Sequence, residues 1–84
     1  MVYSVVPTVL YEQGVRGLLY LDDHHPAHVH CFVGDGQIVV LLEPGVAVRE
    51  THGRVTAAEQ RRVLALVEAR RGRLLRRWRE IHGR

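Results

Sequence analysis

Four of the chain's six histidines and two of its aspartates fall in ten positions, LDDHHPAHVH, residues 21 to 30. Imidazoles and carboxylates at this density can hold a metal ion, act as acid and base, or line a polar turn. His28 and His30 are two residues apart, so on an extended strand they share a face with Cβ atoms about 7 Å apart. Both rings can then reach one ion at roughly 2.0 to 2.1 Å. His24 or His25, with Asp22 or Asp23, would add a third and a fourth ligand, a nitrogen and carboxylate set that suits zinc or nickel. Without a metal, His28 and His30 as base and acid, with Arg16 or Arg49 stabilising negative charge, could cleave RNA. The plain alternative is a strand edge whose histidines bond to backbone and neighbouring acids.

These side chains need elements to hold them. Val2 to Tyr11 is rich in Val, Tyr and Thr and reads as a strand that Pro7 interrupts or confines to an edge. Gln13-Gly14 marks a turn, Val15 to Leu21 a second strand, and Asp22 to Ala27 a turn leading into a third strand, His28 to Val33. Gly34-Asp35-Gly36 supplies a tight hairpin, and Gln37 to Glu43 returns as the fourth strand. Pro44-Gly45 suits a type II turn. Val46 to Arg49 is a short fifth strand, and Glu50 to Val55 reads as a loop.

Thr56 and Glu59 form a capping box, so a helix starts there. Val63, Leu64, Val67, Leu74, Leu75, Trp78 and Ile81 recur on one stripe of a 3.6-residue helix, with Arg61, Arg73, Arg76 and Arg79 opposite. Arg71 interrupts the stripe and Gly72 weakens the helix there by about 1 kcal/mol relative to alanine. The reading is α+β: a single domain over 1–84, an antiparallel meander of four to five strands within 1–49, and a C-terminal helix over 56–82. Alternation sends Val29, Cys31 and Val33 to the helix and His28, His30 and Phe32 away from it. The strand Ile38 to Leu42 is apolar on both faces, which calls for a second cover, either another copy of the chain or a partner.

With 84 residues, 46% of them apolar and 25% charged, the chain suits one soluble globular domain with one core and no deep enclosed pocket. MVYSVVPTVL lacks the basic start and apolar run of a signal peptide, and no stretch is long enough to span a membrane. A cytoplasmic protein is the expectation. Cys31 is the single cysteine, so no intramolecular disulfide forms. All twelve basic residues are arginine, and nine of them stand against three glutamates from Thr56 onward, a net +6. Such a segment suits phosphate backbones, with Arg70, Arg73, Arg76 and Arg77 beside Trp78 as the contacts. His52 and His82 read as surface residues.

Several strings occur in a telling order: Pro7-Thr8-Val9-Leu10, then Asp22-Asp23-His24-His25-Pro26-Ala27-His28-Val29-His30, a glycine hairpin, Leu42-Glu43-Pro44, and a helix carrying Trp78. From Pro7 to about His82 the chain resembles the bacterial domain of unknown function 4160 family. Its most specific element is Pro-x-His-Val-His, carried by Pro26, His28, Val29 and His30. Ala27 stands where the family usually has a second proline, and Met1 to Val6 looks like an addition. The resemblance implies a module of a two-gene regulatory or toxin–antitoxin-like system. It would work by binding a small protein encoded by an adjacent gene, or itself as a homo-oligomer, and nucleic acid. The alternative is a histidine-centred nuclease or metal-dependent enzyme using His28 and His30.

Overall fold

The computed structural model describes Thr8–Gly83. Five strands precede one helix: β1 (Thr8–Glu12), β2 (Val15–Leu18), β3 (His28–Val33), β4 (Gly36–Leu41), β5 (Ala47–Gly53) and α1 (Ala57–His82). The strands lie in the order β1-β2-β3-β4-β5, every neighbouring pair antiparallel. The α+β meander with one long helix is therefore the architecture. The expected strand start at Val2 to Pro7 and the extension Met1 to Val6 lie outside the described residues. Among those described, no helix is long and apolar enough to cross a membrane.

Turn chemistry sets the registers. Gln13 (φ 52) and Gly14 (φ 75) both take positive φ, the type I′ geometry that matches strand twist in a two-residue hairpin. Gly34 (φ 53) alone does so in the β3–β4 hairpin, where Val33 pairs with Gly36, as a type II′ turn requires. The type II turn expected at Pro44-Gly45 is absent: Gly45 does not take positive φ, and the Glu43–Pro44 peptide is cis. The loop expected from Glu50 is also corrected, since β5 continues to Gly53. Its residues are mostly exposed, so no apolar alternation marks it, and its pairing with β4 supplies the order instead. The second strand is shorter than expected, ending at Leu18.

The helix lies across β3 and β4. Val29, Cys31, Val33, Ile38 and Val40 meet Val63, Val67, Leu74, Leu75 and Trp78 in one buried cluster, as the alternation and the helical stripe require; Leu66 joins them. Burying one such aliphatic side chain is worth about 1.5–3 kcal/mol. The capping box is present in full: Glu59 N–H donates to the Thr56 hydroxyl and Thr56 N–H to the Glu59 carboxylate. Helix α1 runs through Gly72 as one element. Arg71 sits in the stripe half-buried with its guanidinium satisfied, since Nε donates to the Leu42 carbonyl (2.7 Å) and Nη2 to that of Pro44 (3.2 Å). Arg70 grips β1 through both oxygens of Glu12, at 2.7 and 2.8 Å.

On the opposite sheet face Val39 is buried by the chain itself and Leu41 is half-buried; among the described residues, the large apolar side chains left exposed are Tyr11 and Leu21.

Two outcomes follow from this packing. Thr56→Ala removes a cap acceptor and should lower unfolding free energy by about 1 kcal/mol in a denaturant titration. Burial pushes the Cys31 thiol up from 9.0 to about 12, so native protein should resist thiol reagents at neutral pH and react on unfolding. Above pH 9 the unfolded chain releases this proton while the folded chain keeps it, so Cys31 should make stability fall with pH from 9 toward 12.

Candidate metal centre

The segment between β2 and β3 wraps one end of the sheet. It is held by the buried side chains of Leu19 and Ala27 and by the Leu42 N–H, which donates to the Ala27 carbonyl at 2.8 Å. Inside it Tyr20 and Asp23 close a turn on each other: Asp23 N–H donates to the Tyr20 carbonyl (3.2 Å), and Tyr20 N–H to Asp23 Oδ2 (3.1 Å). That turn aims the Asp23 carboxylate at the first residues of β3.

Asp23, His28 and His30 converge there, with one ligand atom from each within 4.8 Å of the others. His28 Nε2 stands 3.4 Å from Asp23 Oδ1, and His30 Nε2 stands 3.4 Å from Oδ1 and 3.2 Å from Oδ2. Donor atoms bonded to one tetrahedral ion at 2.0–2.1 Å lie about 3.3 Å apart. The carboxylate-to-imidazole spacings already have that value.

The outer ring nitrogens decide what the inner ones carry. His28 Nδ1 is 2.8 Å from the Pro26 carbonyl, which only accepts, so Nδ1 bears the proton. In the neutral ring Nε2 then presents a lone pair toward a carboxylate oxygen. Two acceptors facing each other across 3.4 Å need a cation between them, either a proton or a metal ion. An imidazole fixed through Nδ1–H to a backbone carbonyl is the usual state of a metal-ligating histidine.

His30 has a reversible partner. Its Nδ1 lies 3.1 Å from Gln37 Nε2, which donates to it and leaves the His30 Nε2–H for Asp23. Turning the Gln37 amide over presents Oε1 instead, puts the proton on Nδ1 and frees Nε2 to ligate. Tyr20 meets the His30 ring edge-on at 4.4 Å. Burial lowers the His30 pKa from 6.5, the attraction of Asp23 opposing it and the neighbouring His28 adding to it.

Helix α1 closes the site. The buried Trp78 ring lies 5.4 Å from that of His28, 5.7 Å from His25 and 3.9 Å from His82, the last pair stacked. The expectation that both β3 imidazoles point away from the helix is therefore corrected at His28. It opens the strand at the sheet's end, where the last helical turn crosses, and it is buried. The other expected ligands stay apart: Asp22, His24 and His25 are exposed, and His25 Nδ1 faces Glu43 Oε1 at 4.0 Å. Arg16 lies over the Phe32 ring at 5.7 Å, and Arg49 is exposed on β5.

Three of the four arginines expected on a nucleic acid have partners within the chain. Arg70 pairs with Glu12, Arg73 approaches Glu12 (3.8 Å) and the Val9 carbonyl (3.4 Å), and Arg77 pairs with Glu80. Arg76 is exposed. Trp78, expected beside them on a nucleic acid, is 1% exposed and cannot stack on a base. His82, expected at the surface, is half-buried: Nδ1 is 3.1 Å from the Trp78 carbonyl and Nε2 3.0 Å from that of Tyr20. Its i+4 spacing from Trp78 was the only sequence signal for this contact.

The model of one protein family, domain of unknown function DUF4160, matches residues 14–79. The chain belongs to this family. The match takes in β2 to β5, most of α1 and all three converging residues of the DUF4160 domain, while His82 lies beyond it. A search of curated proteins and one of solved structures each found no match.

The His28 tautomer is open to direct measurement. Long-range ¹H–¹⁵N correlation spectra of the metal-free protein should find His28 protonated at Nδ1; a His28 ring with its only proton on Nε2 would contradict the Pro26 contact.

Proposed function

We propose that this DUF4160 domain binds one divalent transition-metal ion through Asp23 Oδ, His28 Nε2 and His30 Nε2 and uses it as a Lewis acid. The observation that carries the reading is the convergence of His28 Nε2 and His30 Nε2 on the Asp23 carboxylate at 3.2 to 3.4 Å, the spacing of ligands of one ion, with His28 Nδ1 anchored on the Pro26 carbonyl. Two imidazoles and one carboxylate are a donor set found with zinc and with non-haem iron, and nickel or cobalt suits the same nitrogens. Three protein donors leave coordination positions free, which distinguishes a site that takes up substrate from a closed structural one. The chain supplies the rest of the shell: Pro26 fixes the His28 ring, Gln37 the His30 ring, and Tyr20 the carboxylate.

A metal-dependent enzyme centred on His28 and His30 is thus the favoured role. The regulatory or toxin–antitoxin-like module working through a partner, a second copy or nucleic acid draws less support. Val39 is covered without a partner, and Arg70, Arg73 and Arg77 are tied to Glu12 and Glu80.

Tag-free protein prepared without nickel and titrated with Co(II) or Zn(II) should bind one equivalent. His28→Ala and Asp23→Asn should each weaken binding by more than about a hundredfold, and Gln37→Leu by about tenfold, since outer partners of ligating histidines are worth 10–100-fold. Unchanged stoichiometry and affinity in His28→Ala, measured by calorimetry, would overturn the site.

A further inference from the structure

Helix α1 covers one face of the sheet. On the other face alternation puts His30 and Phe32 of β3, and the registers carry that side across the sheet, since residues paired in an antiparallel ladder share a face. One row reads Leu18, His30, Val39 and Glu50; the next reads Tyr11, Arg16, Phe32, Gln37 and His52. Leu41, two residues beyond Val39 on β4, lies on the same side. Val39 is buried within the chain, but Leu18, Phe32 and Leu41 are half-buried and Tyr11 is 78% exposed. A sheet face that meets only water alternates to polar residues. This one keeps apolar side chains along its middle, on β2, β3 and β4.

The charges flank that middle. Among the paired positions of the face the fixed charges are Arg16 and Glu50. Arg16, on β2, lies over the Phe32 ring at 5.7 Å, and Glu50, on β5, is hydrogen-bonded to His52. Three strand spacings separate β2 from β5, about 14 Å. A surface that is positive on one flank, negative on the other and apolar between is complementary to itself. Sheets stacked face to face stand about 10 Å apart, a gap that an extended arginine and a glutamate together span.

Symmetry fixes how two such faces meet. A two-fold axis running along the strands, above the space between β3 and β4, sets β2 over the partner's β5 and β3 over the partner's β4. Arg16 then meets the partner's Glu50, and the axis makes the same contact a second time. An axis running across the strands instead sets β2 over β2 and β5 over β5, with like charges on the same flank.

From this charge pattern we infer that the sheet face opposite α1 is a homodimer interface, two copies of the chain stacked sheet on sheet with Arg16 of each against the partner's Glu50. The contact supplies the second cover that the two-sided strand β4 calls for. It is independent of the metal reading, whose donors Asp23, His28 and His30 are not among the groups that make it.

Sedimentation equilibrium of the full chain from about 5 to about 500 µM is the test, because an interface made of one small sheet falls at the low end of the size classes and dissociates in the micromolar range. The parent should show a monomer–dimer equilibrium within that range. Arg16→Glu and Glu50→Arg, both at exposed positions, should each weaken the dimer about tenfold or more, since each sets like charges against one another across the axis. The double variant should return to within about threefold of the parent. The two single variants, mixed, should associate with each other, because both contacts are then opposite in sign again. Circular dichroism checks that every variant is folded. A parent that stays monomeric at about 500 µM, a dimer that neither single variant weakens, or single variants that recover neither in combination nor on mixing would each overturn the inference and leave the metal site standing.

Discussion

The packing of Trp78 against the segment between β2 and β3 is the contact on which the site depends. That segment, residues 19 to 27, has few backbone bonds of its own, the Asp23–Tyr20 turn and the Leu42–Ala27 bond being those that order it. Such a stretch stays mobile unless something buries it. Trp78 does so from the last turns of α1, touching His25 and His28 with one ring and carrying His82 stacked on it. His82 in turn reaches the Tyr20 carbonyl, which also accepts from Asp23 N–H. One indole therefore couples helix, turn and strand, and the carboxylate position is a tertiary property.

A second set of contacts fixes where the helix lies. Arg70 reaches β1 through Glu12, and Arg71 crosses to the carbonyls of Leu42 and Pro44 at the far end of β4. The Arg70 guanidinium holds the Glu12 carboxyl below its ordinary 4.5, mainly through the hydrogen bond they share. Adjacent arginines thus hold α1 to opposite sides of the sheet. This gives two of the helix's arginines a structural use, while Arg61, Arg62, Arg76 and Arg79 stay exposed on its surface.

Local signals made much of this fold legible. Helix α1 announced itself because its capping box and its apolar stripe both depend on neighbours within a turn or two. The β1–β2 and β3–β4 hairpins did so because Gly14 and Gly34 occupy positions that demand positive φ. What escaped was set at long range. The second half of β5 is polar and exposed, so only its pairing with β4 marks it as a strand. Asp22 and Asp23 are equivalent in sequence, and the Tyr20 turn selects Asp23. His82 and the orphan indole N–H emerge only when residues 58 or more positions apart meet, as Arg70 with Glu12 and His82 with Tyr20 do.

The converging carboxylate and imidazoles also bear on why so small a domain can hold them. Asp23, His28 and His30 lie within eight residues of sequence, so a turn and the start of one strand suffice to assemble them. Their outer supports come from four places: the Tyr20 backbone, the Pro26 carbonyl, Gln37 on β4 and Trp78 on α1. A purely structural histidine–aspartate pair would need one proton donor toward the carboxylate, and His30 with Gln37 provides it. The buried His28, anchored through Nδ1–H on the Pro26 carbonyl, brings a second imidazole nitrogen to the same carboxylate, where a neutral ring would set a desolvated lone pair against a negative oxygen. Burying such a group is costly unless a cation satisfies it. In the proposed metal site, His28 and His30 take their orientation from Pro26 and Gln37, and Asp23 takes its own from helix and turn together.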